Sequence, residues 1–315
     1  MRGEYVSLFR TLMTQSRGGG QAPCSKYGAT VDTFLGDVDS TGKLLAPTAQ
    51  TDLVFDGVTD IADKALSFKF YDTETINSAS FPQLVQITGA YALQQSFYNS
   101  KIKNISFPVL QSITGNYAMQ DTFDRSSIQS LIFPALTTVS GSSSFYNAFY
   151  SCNDITSASF PVLEEITGDS AFYNCFSYCN VLTNASYPKL KKIGRDNITS
   201  FSDYRHFTNA FNGTKITSLE FPKLTAIYCT ASGTYGGTFS DNSTIQKIYF
   251  PKLSIIDKSP VYTGESTVQN YIFRNCNNLT EIHFGAANQA AIEATEGYPT
   301  LWGRGAGNAT VYFDL

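Results

Sequence analysis

Eight times along the chain a six-residue segment repeats one pattern of apolar and polar positions: INSASF (76–81), IKNISF (102–107), IQSLIF (128–133), ITSASF (155–160), LTNASY (182–187), ITSLEF (216–221), IQKIYF (245–250) and LTEIHF (279–284). The fourth and sixth positions are apolar or aromatic and the fifth is mostly polar, the period-two signature of a strand with one buried face. In seven of the eight the closing aromatic is followed by proline, at Phe81-Pro82, Phe107-Pro108, Phe133-Pro134, Phe160-Pro161, Tyr187-Pro188, Phe221-Pro222 and Phe250-Pro251. The eighth closes with Phe284-Gly285. Proline has no N–H to give a sheet ladder, so each strand is predicted to stop there.

The rest of each unit keeps the same phase. Successive aromatic-proline pairs lie 26, 26, 27, 27, 34 and 29 residues apart. After the proline comes L-x-x-[IV], as in Leu110/Ile113, Leu163/Ile166 and Leu253/Ile256, often followed by glycine. A further phenylalanine (97, 123, 149, 176, 211, 239, 273) sits ten or eleven residues before the next closing aromatic. A unit thus carries about six apolar anchors, each stabilising by roughly 1.5–3 kcal/mol when buried, against an ordering cost on the order of 1–2 kcal/mol for every residue. One unit alone cannot fold. Stacked units share a continuous core, which predicts a mostly β or α/β solenoid whose strands align into one parallel sheet.

Segments such as AFYSCNDITSASFPVLEEITGDSAF (148–172) resemble the BspA-like leucine-rich-repeat family, whose units read AF-x-x-C-x-x-L-x-x-I-x-L-P followed by a short convex turn. The resemblance covers about residues 75–285 and departs from the family in using Phe-Pro where Leu-Pro or Ile-Pro is commoner, and in long insertions in the fifth and seventh units. It implies a curved leucine-rich-repeat stack with one parallel sheet on the concave face, found mostly on bacterial surface proteins and also in phage-like gene products, with no catalytic residues to carry over. On this reading residues 1–26 form an N-terminal helix and glycine-rich tether, 27–74 an N-terminal cap or irregular first repeat, 75–285 the solenoid of about eight units, and 286–315 a C-terminal cap. The helix reading rests on Tyr5, Leu8, Phe9 and Leu12 at i, i+3, i+4, i+7 spacing, an anchor for an assembly partner or a terminus packed on its own domain.

Composition narrows the partners. Charged residues make up only 15% of the chain, while 19 tyrosines and 24 phenylalanines are unusually many, so the surface is built from Ser, Thr, Asn, Gly and Tyr. A net charge of −4 with 22 Lys and Arg lacks the basic excess that phosphate backbones require, and Lys189, Lys191, Lys192 and Arg195 read as a solvated face. Nucleic acid is not expected. No segment approaches the ~18 apolar residues of a membrane span, and the first twenty residues show no uninterrupted apolar stretch of a classical secretion signal.

The six cysteines raise the question of metal or redox chemistry. Three residues past each repeat phenylalanine stand Ser100, Ser126, Cys152, Cys179, Thr214, Asn242 and Cys276, one slot for a small, weakly polar side chain. Cys175 occupies a slot otherwise held by Ser96, Thr122, Ala148, Ala210, Thr238 and Ile272. These cysteines are therefore expected to be buried thiols rather than ligands. A Cys152–Cys179 disulfide between equivalent slots of adjacent units is not geometrically excluded.

Other motifs fall away. GDVDSTGK (36–43) has Thr48 where a calcium loop needs Glu, and Leu44 where a phosphate loop needs Ser or Thr. The seven Asn-x-Ser/Thr triplets, Asn104 and Asn184 among them, arise readily in so Ser/Thr/Asn-rich a repeat. Glu164-Glu165 reads as solvated charge in a convex turn, and no Ser/His/Asp or Cys/His arrangement shares a face, so neither an enzyme nor a cofactor is expected. The outward strand positions are more telling. They are small and polar in nearly all of the first five units, then become Glu220, Lys247 with Tyr249, and Glu281 with His283. The insertions RDNITSFSDYRHFTN (195–209) and DKSPVYTGESTVQN (257–270) bring Tyr204 and Tyr262, a composition suited to adaptable recognition. These seven residues are the candidate ligand contacts, and as exposed groups their substitution is expected to leave folding intact. The reading is a non-enzymatic recognition or adhesion protein that contacts a protein or glycan on a target cell, carried extracellularly on a bacterial surface or a phage-like particle. The alternative is a purely structural spacer or assembly component.

Overall fold

The structure, a computed structural model, describes the backbone of residues 30–31 and residues 51–195, 205–228, 237–257, 272–295 and 309–315. The N-terminal helix expected from Tyr5, Leu8, Phe9 and Leu12, the 36–43 loop, Tyr204 and Tyr262 lie outside the described residues.

Each hexamer forms a short strand, from Ile76–Ser80 through Ser157–Ser159 to Glu281–Phe284, and most pair in parallel and in register with the counterpart one unit on. The strands fall into three runs, bridged where the Gln129 N–H donates to the Lys103 carbonyl (3.1 Å) and the Lys215 N–H to that of Leu182 (2.9 Å). At the two ends Thr51–Asp56 pairs in parallel with Ile76–Ser80, and Thr310–Phe313 with Glu281–Phe284. Strand Thr30–Val31 runs antiparallel to Thr51–Asp56.

Proline does more than stop the strand. The Leu190 N–H donates to the Tyr187 carbonyl (3.3 Å), and the same bond recurs at Leu163–Phe160, Leu224–Phe221 and Leu253–Phe250. Proline thus takes the second position of a β-turn, which its fixed φ suits. The turned chain then enters a second parallel sheet of seven two- or three-residue strands, from Gln86–Ile87 to Ile255–Asp257. Glu165 belongs to this sheet, in strand Glu165–Ile166, rather than to a convex turn. The neighbouring Glu164 pairs with Lys191 at 2.9 Å on the surface, where such a pair contributes little. Periodicity could not announce strands of two residues, because alternation needs more length to register.

The third side of each coil is a ribbon of turns. Residues 91, 95 and 99 have φ near +50°, and so do 117, 121, 125, then 143, 147, 151, then 170, 174, 178. Between them N–H groups alternate: those of Tyr91, Leu93, Gln95, Phe97 and Asn99 donate to the next coil at 2.7–3.0 Å, and those of Gln94, Ser96, Tyr98 and Ser100 to the carbonyl three residues back. No residue at these left-handed positions is β-branched, in line with the steric cost there, and Asn and Asp recur. Amide ladders follow, as where Asn209 Nδ2 donates to Asn174 Oδ1 (2.7 Å) and Asn99 Nδ2 to Asp72 Oδ1 (2.8 Å).

Inside, aromatic rings stack coil on coil. One ladder runs Phe55, Phe81, Phe107, Phe133, Phe160, Tyr187, Phe221, Phe250, Phe284, Phe313 with centroids 4.2–5.8 Å apart. A second runs Phe70, Phe97, Phe123, Phe149, Phe176, Phe211 at 5.1–6.2 Å. The rise per coil matches the strand spacing, so stacking and sheet pairing are satisfied by one translation. Segment 51–74 already obeys it, which makes it a coil of the stack in its own right.

The cysteine slot now has a physical definition. Cys152, Cys179 and Cys276 Sγ donate to the carbonyls of Phe123, Phe149 and Phe239 one coil back, at 2.9, 2.9 and 3.1 Å. Asn242 Nδ2 does the same to Phe207 (2.9 Å), while Ser100 and Thr214 hydroxyls bond the carbonyl of their own repeat phenylalanine (2.8 Å each). The slot requires a small donor. Cys152, Cys175, Cys179 and Cys276 are free and buried, and burial pushes the Cys152 and Cys276 thiols up to about 12.

Candidate functional site

The outward positions of the first sheet form two columns. Along one the register is Ser218, Lys247, Glu281, Thr310; along the other it is Glu220, Tyr249, His283, Tyr312. The repeat therefore brings Glu220, Lys247, Tyr249, Glu281 and His283 onto three adjoining strands.

Their contacts are specific. Tyr249 and His283 stack with centroids 4.6 Å apart, and His283 and Tyr312 at 4.7 Å. The imidazole is thus sandwiched between two phenol rings. Its Nδ1 lies 2.9 Å from Asp314 Oδ1 and its Nε2 3.1 Å from Glu281 Oε2. The Lys247 ammonium reaches the same Glu281 oxygen at 2.9 Å. Hydrogen bonds from Lys247 and His283 hold the Glu281 carboxyl below its usual range, and the bond to Glu281 raises Lys247. Glu220 is exposed.

His283 is not the exposed group that its outward strand position predicts. His283 is only 8% exposed, because Tyr312 covers the ring face that Tyr249 leaves open. Its substitution would therefore disturb the attachment of the last strand, whereas Glu220 is exposed and Lys247 and Tyr249 are half-buried. Tyr312 and Asp314 complete the cluster and were missed. Aligning TVYF (310–313) on EIHF (281–284) would have placed Tyr312 beside His283.

Away from this end the sheet is small and polar, with Ser80, Ser106, Ser159 and Ser186 in the column of Tyr249. Ile132 interrupts that column with 56% of its surface exposed. On the ribbon side Asp121 and Asp124 are nearly buried, and burial raises both carboxyls, Asp124 to about 7. Among the described residues no group of three His, Cys, Asp or Glu is placed to hold a metal ion, and no helix is long and apolar enough to cross a membrane.

This architecture is that of a leucine-rich-repeat protein, and comparison identifies the kind. The BspA type leucine rich repeat region matches in six copies, over residues 63–228 and 147–288, and the chain belongs to that family. No curated protein matches it. Among solved structures it is similar to a leucine-rich repeat protein from Bacteroides ovatus, with 18% identity and a TM-score of 0.33 over 77% of this chain and 66% of that one, just under two thirds of the latter's length. It is also similar to a leucine rich cell surface protein from Faecalibacterium prausnitzii, with 12% identity and a TM-score of 0.28 over 91% of this chain and 95% of that one.

Proposed function

We propose that this protein is a recognition module that contacts a cell-surface macromolecule through the C-terminal end of its first sheet, without catalysis. The observation that carries the reading is the column Glu220, Tyr249, His283, Tyr312 with the Lys247–Glu281 pair in the column beside it, which breaks a face of mostly small polar residues with stacked rings and a charged pair. Aromatic and charged side chains supply most binding energy where a partner desolvates them. Membership of the BspA-type family supports an adhesive role displayed outside the cell, on a bacterial surface or a phage-like particle. The test is retention of the purified protein on immobilised extracellular-matrix proteins and on immobilised oligosaccharides. At least one surface should bind it, and a Glu220→Ala, Lys247→Ala, Tyr249→Ala variant with an unchanged melting temperature should bind at least tenfold more weakly. Retention on neither surface, or retention indifferent to the triple variant, would sink the reading.

A further inference from the structure

We infer that the ligand is a glycan, one pyranose ring of which packs against the face of Tyr249 turned away from His283; this rests on the recognition reading above. The planes of Tyr249 and His283 differ by 17° and those of His283 and Tyr312 by 12°. Rings stacked between strands about 4.8 Å apart have their normals along the direction in which the strands stack. One face of Tyr249 is therefore covered by His283, and the other is turned toward the preceding strand, Ser218–Glu220. The residue in register there is Glu220, which is exposed, and the equivalent position of the hexamer before it is the short side chain of Ser186. Tyr249 stands as a wall at the end of a polar floor.

That combination selects a chemistry. A pyranose has a C–H-rich face that packs on an aromatic ring and a rim of hydroxyls, each needing a donor or an acceptor. The floor supplies both: Ser218 and Ser186 hydroxyls, which donate and accept, and the acceptor-only carboxylate of Glu220, while the Lys247 ammonium is held toward the following strand by Glu281 at 2.9 Å. The apolar face of a protein helix laid on the same floor would leave these groups desolvated and unpaired, which is costly. A polyanion would meet the carboxylates of Glu220 and Glu281. Because the floor repeats at each strand, a sugar chain lying across the strands meets similar hydroxyls again, and Ile132, four strands from Tyr249 or about 19 Å, offers a second apolar contact.

The experiment uses an array of immobilised oligosaccharides of neutral hexoses and N-acetylhexosamines beside an array of matrix proteins, with the full chain, Tyr249→Ala and Tyr249→Phe, each checked by circular dichroism and melting. The expected result is binding to a subset of the oligosaccharides, weakened at least tenfold by Tyr249→Ala and within about threefold of the parent for Tyr249→Phe, since the ring face survives in phenylalanine. Glycan binding indifferent to Tyr249→Ala overturns the inference. Equal weakening by both variants also overturns it, by assigning the contact to the hydroxyl. Tyr249-dependent binding to a matrix protein with none to the glycans overturns the glycan assignment and leaves the recognition reading standing. Binding to neither array overturns both.

Discussion

Tyr187 carries a hydroxyl that has no use for its surroundings. It fills a place in the ring ladder otherwise held by phenylalanine, is 1% exposed, and its hydroxyl has no hydrogen-bond partner among the described residues. Burial first, and the neighbouring Cys175 after it, push the phenol's pKa well up. Removing an unsatisfied buried hydroxyl recovers its desolvation cost, so Tyr187→Phe should stabilise the protein by about 1 kcal/mol, read as a higher denaturant midpoint at unchanged slope. A lower midpoint would mean that the hydroxyl is satisfied. Asp124 presents the same conflict with a charge. Its Oδ1 is buried without a hydrogen bond, Arg125 Nε stands 3.9 Å away, and the carboxyl titrates at about 7, raised first by burial. The folded state therefore keeps a proton that the unfolded chain releases near pH 3.8, so folding takes up a proton between about pH 4 and 7. Asp124's contribution to stability falls as pH rises through that window and stays low above it. Asp124→Asn should accordingly raise the melting temperature relative to the parent at pH 8 and lose that advantage by pH 4, whereas a gap independent of pH would exclude titration of Asp124 as the cause.

Elements of the coil are held at their spacing by what is absent as much as by what is present. A Cβ added at Gly115 would lie 2.1 Å from the Gly89 carbonyl oxygen, and one added at Gly141 equally close to that of Gly115. The glycine that follows the L-x-x-[IV] segment is therefore where successive coils touch backbone to backbone. Gly115→Ala must push two coils apart against ring ladders that fix the rise at about 5 Å. A loss of about 2 kcal/mol or more is expected, measured by chemical denaturation. A neutral outcome would show that the coils can separate locally at no cost. The glycine was visible in the repeat, but its contact was not, because the partner carbonyl belongs to the preceding unit. The same applies to the cysteine slot: the occupants Ser, Thr, Asn and Cys were legible as one class, whereas the carbonyls that Cys152, Cys179 and Cys276 serve lie one coil back in the structure.

At the scale of the molecule every coil touches only its two neighbours, so stability is a sum of coils and interfaces. Coils between Phe107 and Tyr187 have partners on both sides, while strand Thr310–Phe313 pairs with one strand only among the described residues. Amide hydrogen exchange should be slowest in the central coils and progressively faster toward residues 51–56 and 310–313. Uniform protection along the stack would instead show one cooperative unit.

The sequence alone determined the repeat, its phase, the strand at each hexamer and the inward positions, because these follow from local alternation and from proline. It also marked Glu220, Lys247, Tyr249, Glu281 and His283 as departures from a small-residue face, since a repeat makes any exception conspicuous. Only the tertiary structure decided that a second sheet and a left-handed turn ribbon complete each coil, because strands of two residues and single positive-φ positions leave too short a trace in a pattern. It alone decided that His283 is covered, that Asp314 and Tyr312 join it, and that Tyr249 stacks on His283 with its other face toward the strand of Glu220. Those facts depend on which residue of the next coil stands in register, and register is set by the stacking of coils rather than by any one of them.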